Sequence, residues 1–128
     1  MRSIEPHHPH PEKGQIRVYE EGETIPHIRS SKQGSLTYIS YYQLLDLLGE
    51  PTYPNASSDD KVQKEWVIEF TPLGYDPILF RIYDWKTYSL WETVNALNVW
   101  SIGGEEGEGI NAMELENLLK TLIKMNKV

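Results

Sequence analysis

The chain has 128 residues and a mass of 14.8 kDa, with no Cys and a formal net charge of −7 from 12 Lys+Arg against 19 Asp+Glu. That length suits one domain. The charge disfavours general nucleic-acid binding or docking on an anionic membrane, and the missing Cys excludes disulfides, thiolate metal sites and a Cys nucleophile. No apolar run approaches the roughly 18 residues of a membrane span, and no signal-peptide core opens the chain, so a soluble intracellular domain is expected.

Residues 1–13 hold His7, His8 and His10 among prolines, which break helix and sheet alike, and read as a mobile arm. Residues 15–19 alternate polar and apolar, as a short strand does. Residues 24–28 allow a second extended piece that Pro26 confines to an edge, and residues 29–35 read as loop. Residues 1–35 are therefore expected to be an N-terminal extension, ahead of one domain over residues 36–128.

Ser40 and Gln43 predict a capping box, with Ile39 and Leu44 as a hydrophobic staple. Leu44, Leu45, Leu47 and Leu48 supply the apolar stripe, Gly49 is expected as a left-handed C-terminal cap, and Pro51 prevents continuation. Trp66, Ile68 and Phe70 share one face of a strand, and Ile78, Phe80 and Ile82 share one face of the next. The short link between them predicts an antiparallel hairpin. Residues 86–97 are ambiguous: a long loop, or one with a helical turn at 91–97. Residues 98–102 read as a third strand ending at Gly103 and Gly104. A last helix follows. Asn111 and Glu114 resemble a capping box, Glu116 and Lys120 form an i,i+4 pair, and Ala112, Leu115, Leu118, Leu119, Leu122 and Ile123 recur at helical spacing. Glu114 and Glu116 lie toward the positive end of its dipole, and Lys120, Lys124 and Lys127 toward the negative end. The expected fold is α+β: a three-stranded antiparallel sheet with two helices on one face, in the order helix-strand-strand-strand-helix, plus the N-terminal extension.

Four pieces occur in order: Leu48-Gly49-Glu50-Pro51; Asp60-Lys61 ahead of Trp66; Ile82-Tyr83-Asp84-Trp85-Lys86; and Trp100-Ser101-Ile102-Gly103-Gly104. In this the chain resembles small uncharacterised proteins of tailed bacteriophages and large DNA viruses. The resemblance implies a viral origin and a compact fold, and it brings no catalytic residues. The chain has Ser101 where the pattern has His, and residues 1–35 have no counterpart in it.

The candidate ligand-binding residues are Lys61, Tyr83, Asp84, Trp85, Lys86, Trp100, Gly103 and Gly104. Lys61 and Lys86 can face an anion, and Trp85 or Trp100 can stack on a base. Gly103-Gly104 can form a phosphate-holding nest, although Glu105, Glu106 and Glu108 oppose one there. The competing reading pairs Asp84 or Asp60 with a Lys and buries the Trp rings in the core. Asp59, Asp60, Asp84, Glu105 and Glu106 have the chemistry of Mg²⁺ ligands but read as solvated loop charges. His27 has no evident catalytic partner, and no catalytic residue, cofactor or metal site is expected.

Tyr38, Tyr41, Tyr42, Tyr53, Tyr75, Tyr88 and Trp91 lie in or beside turns, more aromatics than a small core takes. Aromatics of this kind anchor protein contacts. The leading expectation is a non-enzymatic viral accessory protein. It binds a host or viral protein through an acidic, Tyr/Trp-rich surface, in the cytoplasm of the infected cell or in the virion. The alternative is a binder that sequesters a small anionic, nucleotide-like ligand, and a hydrolase comes third. The same aromatics could join copies into a homo-oligomer.

Overall fold

A computed structural model gives the fold and describes residues 1–4, 14–59, 61–86, 88–95 and 99–125. Asp60, Lys127 and the run with His7, His8 and His10 lie outside the described residues, as do residues 96–98.

The elements in chain order are β1 (Arg2–Ser3), β2 (Gln15–Val18), β3 (Ser31–Thr37), α1 (Tyr41–Leu48), β4 (Glu65–Thr71), β5 (Ile78–Tyr83), α2 (Leu90–Asn95), β6 (Val99–Gly104) and α3 (Gly109–Met125). The six strands form one antiparallel sheet in the order β1-β2-β4-β5-β6-β3. The expected three-stranded sheet with two helices is thus corrected to six strands and three helices. The class, α+β, holds. The three added strands come from the stretch read as an extension and a loop. β1 pairs with β2 and β2 with β4, while β3 pairs onto β6 along Ser31–Thr37.

β3 escapes notice because only one of its side chains, Leu36, is fully buried. An edge strand needs just one apolar contact row, and its pairing with β6 supplies the rest of its order. The register shifts between Lys32 and Gly34, a bulge of the sort that blunts an exposed edge.

The hairpin of β4 and β5 forms as the alternation requires, with Trp66 opposite Ile82 and Ile68 opposite Phe80. These side chains have no exposed surface, and neither do Trp100 and Ile102 of β6. Each large apolar side chain so buried contributes about 1.5–3 kcal/mol. α1 and α3 close over this face with Leu44, Leu48, Leu115 and Leu119, all fully or almost fully buried.

α1 starts with the expected capping box: the Gln43 backbone N–H donates to Ser40 Oγ at 3.2 Å, and the Ser40 N–H donates to Gln43 Oε1 at 2.9 Å. Its end differs in detail. Gly49 takes φ 78° and ψ −161°, a combination essentially restricted to Gly, rather than the left-handed helical one. The guanidinium of Arg2 then donates to the carbonyls of Leu48 and Glu50, which the helix leaves unpaired. α3 starts three residues earlier than its sequence suggests. Asn111 is inside the helix and donates its side-chain amide to Glu108 Oε2 at 2.8 Å, so the expected capping box is replaced. The Glu116–Lys120 pair forms at 2.9 Å. No helix among the described residues is long and apolar enough to cross a membrane.

Candidate functional site

The strand ends of β4 and β5 build one corner of the molecule around Asp84. This carboxylate is fully buried. Its Oδ1 accepts the backbone N–H groups of Gln63 at 2.8 Å and Lys64 at 2.9 Å, and its Oδ2 accepts the Thr93 hydroxyl at 2.5 Å. Asp84 thus ties the approach to β4, the exit of β5 and α2 into one unit. Charged hydrogen bonds of this kind are about twice as strong as neutral ones. Asp84 is an anchor, placed where no ligand reaches it.

Beyond it the chain turns outward. The Lys86 N–H donates to the Lys61 carbonyl at 2.7 Å, which brings the two Lys residues side by side. Their ammonium groups lie 5.8 Å (Lys61) and 5.9 Å (Lys86) from the centre of the Trp85 ring. Trp85 is half exposed, and the Tyr83 ring meets it edge-on at 6.3 Å. Of the eight expected ligand-binding residues, Lys61, Tyr83, Asp84, Trp85 and Lys86 therefore come together.

Trp100, Gly103 and Gly104 do not join them. Trp100 is fully buried against Trp66 and Tyr41, its indole N–H donating to the Ile39 carbonyl at 2.9 Å, so it offers no face to a ligand. Gly103 and Gly104 are the last residues of β6, not a turn. A Cβ on Gly103 would lie 3.0 Å from the Tyr83 ring, and one on Gly104 would lie 2.9 Å from the Phe80 ring. These glycines make room for neighbouring rings, and their backbone is spent on pairing with β3.

The exposed aromatics collect at this same end of the sheet. Thr37 of β3 pairs with Val99 of β6, and Ser101 pairs with Tyr83, which pairs with Glu65. Tyr38 follows the first of these strand ends, Tyr42 is in the first turn of α1, and Tyr88 and Trp91 lie in the connection from β5 to β6. Exposure is 88% for Tyr38, 50% for Trp85, 57% for Tyr88 and 69% for Trp91. Tyr38, Lys86 and Tyr88 also have φ near +60°, the left-handed region that side chains avoid. Of the seven aromatics expected at the surface, Tyr41 is buried instead, packed on Trp66 and Trp100. Tyr75 lies in the turn between β4 and β5, at the opposite end.

A second feature sits on the sheet face away from the helices. The segment 52–57 runs alongside β4. Tyr53 exchanges backbone hydrogen bonds with Glu65 at 2.9 and 3.1 Å, and buried Thr52 links the Tyr19 carbonyl to the Val67 N–H. Between this segment and the sheet lies a cleft of about 570 Å³ with Glu65 and Arg81 among its walls. Arg81 Nη1 donates to Glu65 Oε2 at 2.9 Å. Burial pushes the Glu65 carboxyl above its ordinary range. The Asp84 charge adds to this, and the Arg81 guanidinium opposes it. Burial likewise raises the Tyr83 phenol, helped by the Glu65 charge. Opposite charges at positions 65 and 81, one on each strand of a hairpin, were a visible sign of this pair. The wall at 52–57 left no sign, since turn-forming residues say nothing of where they pack.

Among the described residues no group of three His, Asp or Glu side chains stands close enough to hold a metal ion. No family model matches the chain, and neither a curated protein nor a solved structure matches it.

Proposed function

We propose that the chain is a viral accessory protein that acts by binding a host or viral protein, in the infected cell or in the virion. Viral origin rests on the resemblance in residues 48–104. The observation that supports binding is the gathering of Tyr38, Trp85, Tyr88 and Trp91, all exposed, at one end of the sheet. Exposed aromatics on a rigid frame are the commonest anchors of protein interfaces. Three left-handed residues that are not Gly hold this surface in shape, and such strain gathers at working sites.

Capture from infected cells, read by mass spectrometry, tests the proposal. Wild type is compared with a Tyr38→Ser/Trp91→Ser double variant and with Tyr75→Ser at the far end. A partner retained by wild type and Tyr75→Ser but lost by the double variant supports the reading. Equal retention by all three overturns it. Light scattering separates a second copy of this chain from a foreign partner.

A second reading, a small anionic ligand held by Lys61 and Lys86, is favoured by the two ammonium groups converging on Trp85. They sit where a base would stack, so the ligand there is an anion alone.

A further inference from the structure

We propose that the cleft under segment 52–57 binds a nucleobase, as a guanine-type nucleoside without phosphate. Its volume of about 570 Å³ lies within the usual range of ligand pockets, roughly 300–1,000 Å³. Arg81 and Glu65 stand side by side in its wall, 22% and 17% exposed. They present hydrogen-bond donors next to an acceptor. Among the described hydrogen bonds, Arg81 uses only Nη1 toward Glu65, and Glu65 uses only Oε2 toward Arg81. The guanine edge has the matching order, with the O6 acceptor beside the N1–H and N2–H donors. Adenine offers a carboxylate fewer donors.

Tyr53 supplies a ring for stacking, the contact that aromatic side chains make with bases in single-strand binding. Its backbone is already fixed to Glu65 on both sides, and the Pro54 carbonyl accepts Lys64 Nζ at 2.6 Å. A wall ordered in advance lowers the entropy lost on binding. Glu21 lines this cleft and, with Glu20, Glu50 and Arg2, the adjoining cleft of about 320 Å³. Arg2 is engaged by Glu20 at 3.7 Å and by the Leu48 and Glu50 carbonyls, so the surplus of carboxylates there disfavours a phosphate, which distinguishes a nucleoside from a nucleotide. The site is lined by neither Tyr38 nor Trp91 and needs neither.

Calorimetric titration and thermal shift of the full chain with guanosine, adenosine and guanosine 5′-monophosphate test this. Guanosine is expected to bind and raise Tm, with adenosine and the monophosphate weaker. Tyr53→Ala and Glu65→Gln should each weaken guanosine binding roughly tenfold or more, while Tyr75→Ser leaves it unchanged. Tyr53→Ala keeps the backbone bridge, so it carries the test if Glu65→Gln does not fold. No binding of guanosine to wild type overturns the proposal, as does unchanged affinity in the folded variants. Tighter binding of the monophosphate, lost in Lys61→Ala/Lys86→Ala, also overturns it by moving the ligand to Trp85.

Discussion

The two ends of the central hairpin solve the same geometric problem differently. At the turn end, the chain reverses through Pro72–Pro77, and the one positive φ belongs to Gly74, with nothing within 4 Å of a Cβ built there. At the other end, positive φ falls on Tyr38, Lys86 and Tyr88. Gly would relieve each of these at the loss of a side chain. The turn end is arranged for an easy reversal. The aromatic end keeps strained residues whose rings and ammonium group point outward, which is the pattern of a surface retained for contact.

The largest expected effect comes from removing the anchor beneath that surface. Asp84→Ala takes the acceptor from two backbone N–H groups and leaves the Thr93 hydroxyl to the Ser89 carbonyl at 3.2 Å, and should cost about 3–4 kcal/mol in urea denaturation. Hydrogen exchange should show α2 loosening first. Gly49→Ala comes next. Its φ and ψ suit only Gly, and a Cβ there would lie 2.6 Å from Arg2 Nη2. A cost of about 2–3 kcal/mol is expected. Gly74→Ala, strained but open, should cost only about 1 kcal/mol. Equal costs at the two glycines would refute the strain assigned to the Gly49 backbone.

Tyr38→Gly runs in the opposite direction. The ring is almost fully exposed, so little burial is lost, while left-handed strain of about 1 kcal/mol is relieved. Tm should rise slightly as partner capture falls. A fall in Tm would show that Tyr38 holds the fold rather than the interface.

The smallest effect is that of pH on Glu65. Its native carboxyl titrates above the unfolded one, so the native state binds the proton more tightly. Stability from this group is full below the ordinary glutamate range and is lost as pH rises through the raised native value. Glu65→Gln should flatten that slope in urea denaturation measured across mildly acidic pH. An unchanged slope would assign it elsewhere.

Much of the helix-covered side was legible because local signals and burial agree there. The Ser40–Gln43 box, the stripe of α3 and the alternation of Trp66, Ile68 and Phe70 each specify their element without help from distant residues. β3 and the Gly103–Gly104 stretch were not legible, because each is decided by its partner strand. Ser31–Thr37 is a strand since β6 lies beside it, and the two glycines are sheet since Tyr83 and Phe80 fill the space above them. The site divides the same way. Lys61, Trp85 and Lys86 follow from a strand end read locally. The burial of Trp100 depends on Ile39, which is 61 positions away in sequence.

The order of the strands has a consequence for assembly. β2 shields one flank of the β4–β5–β6 centre and β3 shields the other, yet both precede all three central strands in the chain. β2 and β3 find their places late, since their partners are synthesised after them. Contacts of such long range slow folding. Until they form, the open edges of β4 and β6 can pair with other copies. The N-terminal stretch thus works as a clasp, and a chain shortened past Thr37 should aggregate through both uncovered edges.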